Sequence, residues 1–213
     1  MPSAKQRKSL DKAVTAYQQN LETARGFLSA RKISRELAQL WRLGVVVSPE
    51  VGHEPYVGRL CIPYVNKLGV VAVKFRCMAD HDCKAENCPK YTQPAGQEVL
   101  LFNVLAVEDD ADTIHICEGE LDTMVLSSVL GEPAVGLPGA SNWQPHYPFH
   151  FKGFDRVVVW ADGDKAGKDM AGRVRKELIN AEVVPMPQGH DVNSVFVELG
   201  VEGIRKLAGV EDE

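Results

Sequence analysis

Two apolar strands, each followed at once by acidic residues, are the feature of this sequence that most constrains the fold. Thr113–Cys117 leads into Glu118, and Arg156–Ala161 leads into Asp162-Gly-Asp164. Short apolar, β-branched segments are typical of buried strands, and a helical pattern follows each of these two. Strands that alternate with helices indicate a parallel sheet, and such sheets place their functional groups at the carboxyl ends of the strands.

The second half of the chain predicts an α/β fold with a βαββαβ order and a mostly parallel central sheet flanked by helices. The other predicted elements are a helix at Leu121–Leu130, a strand at Ala134–Leu137, a helix at Ala166–Ile179 and a strand at Val183–Met186. An acidic connector at Leu105–Asp112 indicates a domain boundary. We therefore predict two subdomains, residues 1–108 and residues 109–213.

The first half predicts a smaller subdomain of mixed α and β structure. Apolar residues recur at three- and four-residue spacing over 10–28 and predict one helix. Ser34 predicts the N-cap of a second helix, Arg35–Leu43, which Gly44 is expected to end. Two strands, Arg59–Val65 and Val70–Phe75, follow with a tight turn between them.

Charge is divided unevenly between the two halves, although the net charge is only −5. Residues 1–90 contain 15 Lys and Arg against 8 Asp and Glu, a net of +7. Residues 91–213 contain 9 against 21, a net of −12. A basic half beside an acidic half suits an enzyme that binds polyanions with one part and cations with the other. Chance clustering on solvated faces is the alternative interpretation.

The acidic residues after the two strands predict a metal site. Asp162 and Asp164 are two residues apart and project to one side in extended backbone. Glu118 is expected to open a helix, with Asp122 one turn later on the same face. Converging carboxylates repel one another unless a cation neutralises them, and hard oxygen ligands select Mg²⁺ or Mn²⁺. Asp191, after another short strand, is expected to complete the site. The alternative is that Asp-Gly is an ordinary turn and the other acids are solvated.

A second group of metal-binding side chains lies in the basic half. Cys77, His81, Cys83 and Cys88 occur within one short polar loop. Thiolates and an imidazole in such a loop can close a tetrahedral Zn²⁺ site that stabilises the preceding hairpin. The spacing is not one of the standard pairs, so ordinary cysteines beside a solvated histidine remain the alternative. The chain contains no apolar run of the ~18 residues needed to span a bilayer, and we expect a cytoplasmic protein with no membrane partner.

These motifs resemble a known family. Glu118-Gly followed by an Asp-x-Asp after an apolar strand is similar to the Toprim signature. Several segments resemble the catalytic cores of DnaG-type DNA primases, of the phage type. The segments are Gly58-Arg-Leu60 with Ile62-Pro63, Pro89-Lys-Tyr-Thr92, Leu101-Phe-Asn103, Asp162-Gly-Asp-Lys-Ala-Gly167 and Gly189-His-Asp191-Val-Asn193. They occur in the family's order and extend over residues 14–200.

The resemblance implies a DNA-directed nucleotidyltransferase that synthesises short RNA primers on a single-stranded DNA template during replication. It implies Glu118, Asp162 and Asp164 as catalytic residues and metal ligands, with Asp191 as a further ligand. The cofactor would be Mg²⁺ or Mn²⁺, whereas the structural Zn²⁺ rests on the cysteine-rich loop and not on the resemblance. By the same resemblance, the residues that contact template or nucleotide are Arg59, Arg76, Lys90 and Tyr91.

The implied partners are single-stranded DNA and ribonucleoside triphosphates, together with a separate zinc-binding template-recognition protein and a replicative helicase. A phage-encoded chain would act in the cytoplasm of its bacterial host. Two other functions stay open at this point. One is a Toprim-type nuclease in which the same carboxylates activate water, and the other is a non-catalytic nucleic-acid-binding Toprim protein.

Overall fold

The computed structural model describes residues 1–209 and divides the chain between Glu98 and Val99. We call the two parts the N-terminal unit (Met1–Glu98) and the C-terminal unit (Val99–Glu213). The boundary predicted at residues 108 and 109 falls at the end of a short 3₁₀ helix, Val104–Glu108, within the C-terminal unit. The assignment of separate functions to residues 1–108 and 109–213 stays a prediction.

The helical opening of the N-terminal unit contains three helices rather than the expected two. They are α1 (Ala4–Gln18), α2 (Arg25–Ser29) and α3 (Arg35–Leu40). The predicted continuous helix over residues 10–28 was wrong, because α1 ends at Gln18 and a 3₁₀ turn, Leu21–Ala24, precedes α2. The apolar residues of this region are nevertheless mostly buried, because their three- and four-residue spacing places them on one face of each helical segment.

The predicted start of α3 is confirmed, but its predicted end was wrong. The Ser34 side chain accepts a hydrogen bond from the backbone N–H of Leu37 at 3.1 Å, as an N-cap does. Gly44 does not end this helix and instead begins β1 (Gly44–Val45). A Cβ at Gly44 would lie 2.3 Å from the carbonyl carbon of Tyr17, so glycine permits close packing of this strand against α1.

The N-terminal unit contains an antiparallel sheet in the order β1-β2-β3-β4. Its other strands are β2 (Leu60–Asn66), β3 (Gly69–Arg76) and β4 (Tyr91–Thr92). The predicted hairpin is confirmed as β2 and β3, whose pairing runs from Leu60 opposite Arg76 to Asn66 opposite Gly69. The long connection from β3 to β4 carries the cysteine-rich loop.

The C-terminal unit contains a four-stranded parallel sheet in the order β6-β5-β7-β8. The predicted order of strands and helices is confirmed, and one further helix, α6, follows. The elements are β5 (Thr113–Cys117), α4 (Glu120–Leu130), β6 (Ala134–Gly136), β7 (Arg156–Ala161), α5 (Lys165–Glu177), β8 (Ala181–Pro185) and α6 (Val192–Ala208). The α/β fold class is therefore confirmed.

The two central strands of this sheet are buried on both faces, as their continuous apolar sequences predict. Ile114 and Ile116 of β5 and Val157 and Val159 of β7 pack in one core with side chains of α5. Because β5 and β7 are parallel neighbours, their carboxyl ends lie side by side at one edge of the sheet. No helix among residues 1–209 is both long enough and apolar enough to cross a membrane.

Candidate active site

Three neighbouring strands deliver acidic residues to the same edge of the parallel sheet. Glu118 follows β5, Asp162 and Asp164 follow β7, and Asp191 follows β8 after a short loop. The strand order places these three ends next to one another. The structure therefore brings together the carboxylates that the sequence selected, at the position where open α/β sheets bind ligands.

Asp162 has the most perturbed environment of these residues. Its pKa is raised from 3.8 to about 8, first by burial and then, in decreasing order, by the negative charges of Asp122, Glu118, Asp191 and Asp164. Its Oδ1 atom is buried and finds no hydrogen-bond donor among residues 1–209. A buried carboxylate oxygen that lacks a donor is costly unless a cation binds it.

The glycine between Asp162 and Asp164 permits a close backbone contact. A Cβ at Gly163 would lie only 1.7 Å from the carbonyl oxygen of Pro187. The Gly163 N–H also donates to the carbonyl oxygen of His190 at 2.8 Å, and the Gly189 N–H donates back to Gly163 at 3.2 Å. This pairing joins the Asp-Gly-Asp turn to the loop that carries Asp191, so one glycine holds two ligand-bearing segments together.

Asp164 and Asp191 each act as the N-cap of a helix. Oδ1 of Asp164 accepts from the Gly167 N–H at 2.8 Å at the start of α5, and Oδ1 of Asp191 accepts from the Ser194 N–H at 2.8 Å at the start of α6. A carboxylate has two oxygens, so each cap occupies only part of its capacity as an acceptor. The caps also fix where both carboxylates lie before any cation binds.

The position of Glu118 relative to the helix differs from the prediction. Glu118 does not open α4, because Gly119 is the N-cap and the helix begins at Glu120. Glu118 therefore lies in the connection between β5 and α4. Two further acids occupy the first turn of this helix and are buried, Glu120 at 1% exposure and Asp122 at 8%.

Asp122 is a site residue that the sequence-based selection left out. Its charge is the largest of those that raise the pKa of Asp162. Its Oδ1 accepts from the Asn193 N–H at 2.8 Å, and a Cβ at Gly119 would lie 2.3 Å from its Oδ2. The Glu-Gly-x-x-Asp spacing was the available signal, because the glycine leaves room for the carboxylate one turn later.

The donors at this edge fit a hard divalent cation. They are carboxylates from several strand ends, and Asp162 Oδ1 is a buried oxygen without a hydrogen-bond donor in the described part of the chain. Hard oxygen donors suit Mg²⁺ or Mn²⁺ and suit soft, thiol-binding metals poorly. Residues that could hold such an ion are Glu118, Asp122, Asp162, Asp164 and Asp191.

The four residues expected to contact nucleic acid lie around β2, β3 and β4 of the N-terminal unit. Arg76 and Tyr91 are paired across the sheet, and the Arg76 guanidinium carbon lies 4.7 Å from the Tyr91 ring centroid. Arg59 donates to the carbonyl oxygen of Pro89 at 2.7 Å and to Cys88 Sγ at 3.2 Å. Lys90 is exposed. The structure thus brings the four residues into one neighbourhood, in which Arg59 also holds the loop before β4.

The four metal-binding side chains of the cysteine-rich loop also come together. One ligand atom from each of Cys77, His81, Cys83 and Cys88 lies within 4.8 Å of every other. The three cysteines are free thiols rather than disulfides. The predicted clustering is therefore observed, and this second group lies in the N-terminal unit, whereas the carboxylates lie in the C-terminal unit.

Comparison with known proteins supplies the family. A family model described as Toprim-like matches residues 115–196, which include Glu118, Asp162, Asp164 and Asp191. The Gene 57 protein of Mycobacterium phage D29 is 36% identical over 154 residues, covering 70% of this chain and 97% of that protein. The DNA primase of Haemophilus influenzae is 25% identical over 183 residues, covering 80% of this chain but only 31% of that primase.

The fold agrees with these matches. A DnaG primase catalytic domain solved with bound single-stranded DNA superposes with a TM-score of 0.72 at 22% identity, covering 97% of this chain and 82% of that one. The chain spans about a third of the length of the H. influenzae primase, in keeping with a catalytic core. A Toprim domain implies a divalent cation at the carboxylates. The chain belongs to the family of the Gene 57 protein of Mycobacterium phage D29, and it contains a Toprim-like domain and has the fold of the DnaG primase catalytic core.

Proposed function

We propose that this chain is a DNA primase catalytic core that joins ribonucleotides into short primers on single-stranded DNA, with Mg²⁺ or Mn²⁺ as its catalytic cofactor. The observation that carries the proposal is the group of carboxylates at the carboxyl ends of the parallel strands. There, Glu118, Asp162 and Asp164 come together on neighbouring strand ends, and Asp162 retains a buried oxygen without a donor in the described chain. The similarity to primases along most of the chain supports the same function.

Primer synthesis requires attack of a primer 3′-hydroxyl on the α-phosphate of the incoming nucleotide. A new P–O bond forms, the bond to the β-phosphate breaks, and pyrophosphate leaves. Divalent cations supply activation of the attacking hydroxyl and neutralise the phosphate charge. In this proposal Asp162, Asp164 and Asp191 hold the cations, and Glu118 accepts the hydroxyl proton or acts as a further ligand.

Asp122 contributes to the same site by setting the charge around Asp162. With the five carboxylates ionised, the edge of the sheet carries strong self-repulsion, which a divalent cation relieves. A nucleotide whose phosphates arrive with their own cations is therefore stabilised more than the same nucleotide without them. This arrangement explains why the site needs more acids than one cation would use.

The N-terminal unit is proposed to bind the template and the nucleotide. A pocket of about 820 Å³ is lined by the ring of Phe27, by basic side chains that include Arg31, Arg76 and Lys90, and by the acidic Asp80 and Asp82. Rings that stack on bases and cations that neutralise phosphates are the usual means of binding single strands without sequence preference. The solved DnaG domain with bound single-stranded DNA supports the same kind of partner.

Further partners belong to the same proposal. A separate zinc-binding protein would recognise the template start, a replicative helicase would deliver single-stranded DNA, and the setting would be the cytoplasm of a bacterial host. The proposal also assigns residues 1–108 as the basic template-binding part and residues 109–213 as the Toprim part. Each of these partners can be tested by adding it to the purified chain.

The testing experiment incubates the full chain with circular single-stranded DNA, labelled ribonucleotides and Mg²⁺ or Mn²⁺, and resolves the products on a sequencing gel. We expect short oligoribonucleotides that require both template and cation and that disappear in Asp162→Asn. Asp169→Asn is the matched control, because Asp169 is an exposed acid on α5 away from the strand ends. Cation-dependent degradation of the DNA without synthesis would support the nuclease alternative instead.

A further inference from the structure

The cysteine-rich loop between β3 and β4 offers a second metal site of a different chemical class. We propose that Cys77, His81, Cys83 and Cys88 bind one structural Zn²⁺ in a closed, four-ligand site. The inference is independent of the primase proposal, because it concerns the N-terminal unit alone and is measured as metal content. The Toprim carboxylates have no part in it.

Two separations between ligand atoms match those of a tetrahedral zinc site. Zinc bonds of about 2.3 Å to sulfur and 2.0–2.1 Å to nitrogen, at tetrahedral angles, place two sulfurs about 3.8 Å apart and a sulfur and a nitrogen about 3.6 Å apart. Sγ of Cys77 lies 3.7 Å from Sγ of Cys88 and 3.5 Å from Nε2 of His81. Both distances match the tetrahedral values, and the sulfur separation is far longer than a disulfide bond of about 2.05 Å.

The loop is folded by hydrogen bonds that do not require the metal. The Cys88 N–H donates to the carbonyl oxygen of Cys83 at 2.8 Å. The Asp82 side chain accepts from the backbone N–H groups of Lys84 at 2.8 Å and Ala85 at 3.3 Å, an Asx-type turn. These bonds bring Cys83 and Cys88 to the same end of the loop, so part of the entropic cost of assembling the ligands is met by local structure.

The donor set selects zinc over the cations expected at the carboxylates. The three thiolates are soft ligands and the imidazole is a borderline one, and a site with four protein ligands has no open position for substrate. Three thiolates and Zn²⁺ carry a net charge of −1. The Arg59 guanidinium donates to Cys88 Sγ at 3.2 Å and supplies a compensating positive charge of the kind that surrounds metal thiolates.

The site would fix the segment that carries two of the expected nucleic-acid contacts. Cys77 directly follows β3, and its N–H donates to the carbonyl oxygen of Lys90 at 3.0 Å. Cys88 precedes Pro89, Lys90 and Tyr91, and β4 contains only Tyr91 and Thr92. A two-residue strand has little stability of its own, so a metal that joins both ends of the loop holds this edge strand in register.

The first experiment measures zinc by mass spectrometry in the full chain purified without added metal. We expect one zinc per chain, retained in Asp162→Asn and lost in Cys83→Ser. Cys61→Ala is the matched control, since Cys61 is buried in β2 of the same unit and is not one of the four proposed ligands. A zinc ratio near zero, zinc that disappears with Asp162, or stoichiometric iron in place of zinc would each overturn the proposal.

A second pair of variants covers the case in which Cys83→Ser fails to fold. His81→Cys should retain one zinc and, after cobalt substitution, shift the visible thiolate absorption because a fourth sulfur replaces the imidazole. His81→Ala should lose most of the metal. If His81→Cys and His81→Ala lose zinc equally, or if both retain it, the four-ligand assignment is wrong.

Trypsin gives an independent measurement: the wild type should be cut after Lys84 and Lys90 several-fold faster once a zinc chelator is added.

Discussion

The two candidate metal sites hold their ligands by opposite means. The carboxylates lie on the ends of neighbouring strands in a buried parallel sheet, so distant parts of the chain meet through tertiary packing. The cysteine-rich loop takes all four ligands from Cys77 to Cys88, and local hydrogen bonds bring them together. The first arrangement is destabilised by the repulsion between its own negative charges, which a divalent cation relieves. The second offers four protein ligands with no open position and suits a permanent ion.

The largest effect should come from Asp162, the carboxylate whose pKa is raised to about 8. Asp162→Asn keeps the shape of the side chain and removes its charge, so the chain should lose primer synthesis by about a thousand-fold, equivalent to about 4 kcal/mol. Initial rates with Mg²⁺ measure the loss.

Cys83→Ser should leave cation binding at the carboxylates intact, and Asp162→Asn should leave zinc intact. A variant that abolished both metals would break the distinction between the sites.

The next effect concerns the rigidity of the carboxylate site. Gly163→Ala places a methyl group 1.7 Å from the carbonyl oxygen of Pro187, so the backbone must shift. We expect a loss of about 3 kcal/mol in the free energy of unfolding and a loss of primer synthesis. Gly172→Ala is the control, because a Cβ there meets no atom within 4 Å and alanine favours the interior of α5 by about 0.5–1 kcal/mol. Urea unfolding distinguishes the two, and equal destabilisation would contradict the contact.

A smaller effect should appear in the pH dependence of the cation-free protein. The pKa of Asp162 is about 8 in the folded chain, against an ordinary value of 3.8. The folded state therefore binds more protons than the unfolded state between about pH 4 and pH 8, and its stability falls as pH rises through that range. Thermal unfolding in a chelator that spares zinc should show this fall. Asp162→Asn should flatten it and Mg²⁺ should reverse it. A slope that Asp162→Asn leaves unchanged would assign the effect to other groups.

The smallest effect should belong to the loop that the zinc site supports. Lys90→Ala removes one exposed positive charge next to Tyr91, so the magnitude of the slope of log binding constant against log salt should fall by about 0.7 for single-stranded DNA. Fluorescence titration at several salt concentrations measures this slope. Lys8→Ala, an equal change of charge on the exposed face of α1, should leave it unaltered. Equal slopes for the two variants would remove Lys90 from the nucleic-acid surface.

The fold of the C-terminal unit could be predicted because its signals are local. Thr113–Cys117 and Arg156–Ala161 are continuous apolar strands, and their observed bounds equal the predicted ones. The position of Asp162 and Asp164 at the strand end followed from the same pattern. α6 was missed because Gly200, which adopts a φ of +71°, interrupts its helical periodicity.

Other features depend on tertiary contacts and could not be derived from the sequence in this way. Gly44 reads as a helix terminator, but the close approach of Tyr17 decides its place in β1. The Glu-Gly-x-x-Asp spacing relates Asp122 to Glu118, but the effect of Asp122 on Asp162 depends on a tertiary contact between two strand ends. Arg59 resembles a phosphate ligand in sequence, and only the fold shows that it also contacts Cys88 and Pro89.

The helix caps made by Asp164 and Asp191 have a consequence for descendants of this protein. A lineage that stopped making primers would still need both aspartates, or asparagines, to start α5 and α6. Asp162 caps no helix, and its negative charge lowers the stability of the folded chain when no cation is bound. In a homologue that has lost activity, neutral substitutions should therefore replace Asp162 first, while Asp164 and Asp191 are retained. The identity of this one residue is a better marker of a working enzyme than the survival of the Asp-x-Asp motif as a whole.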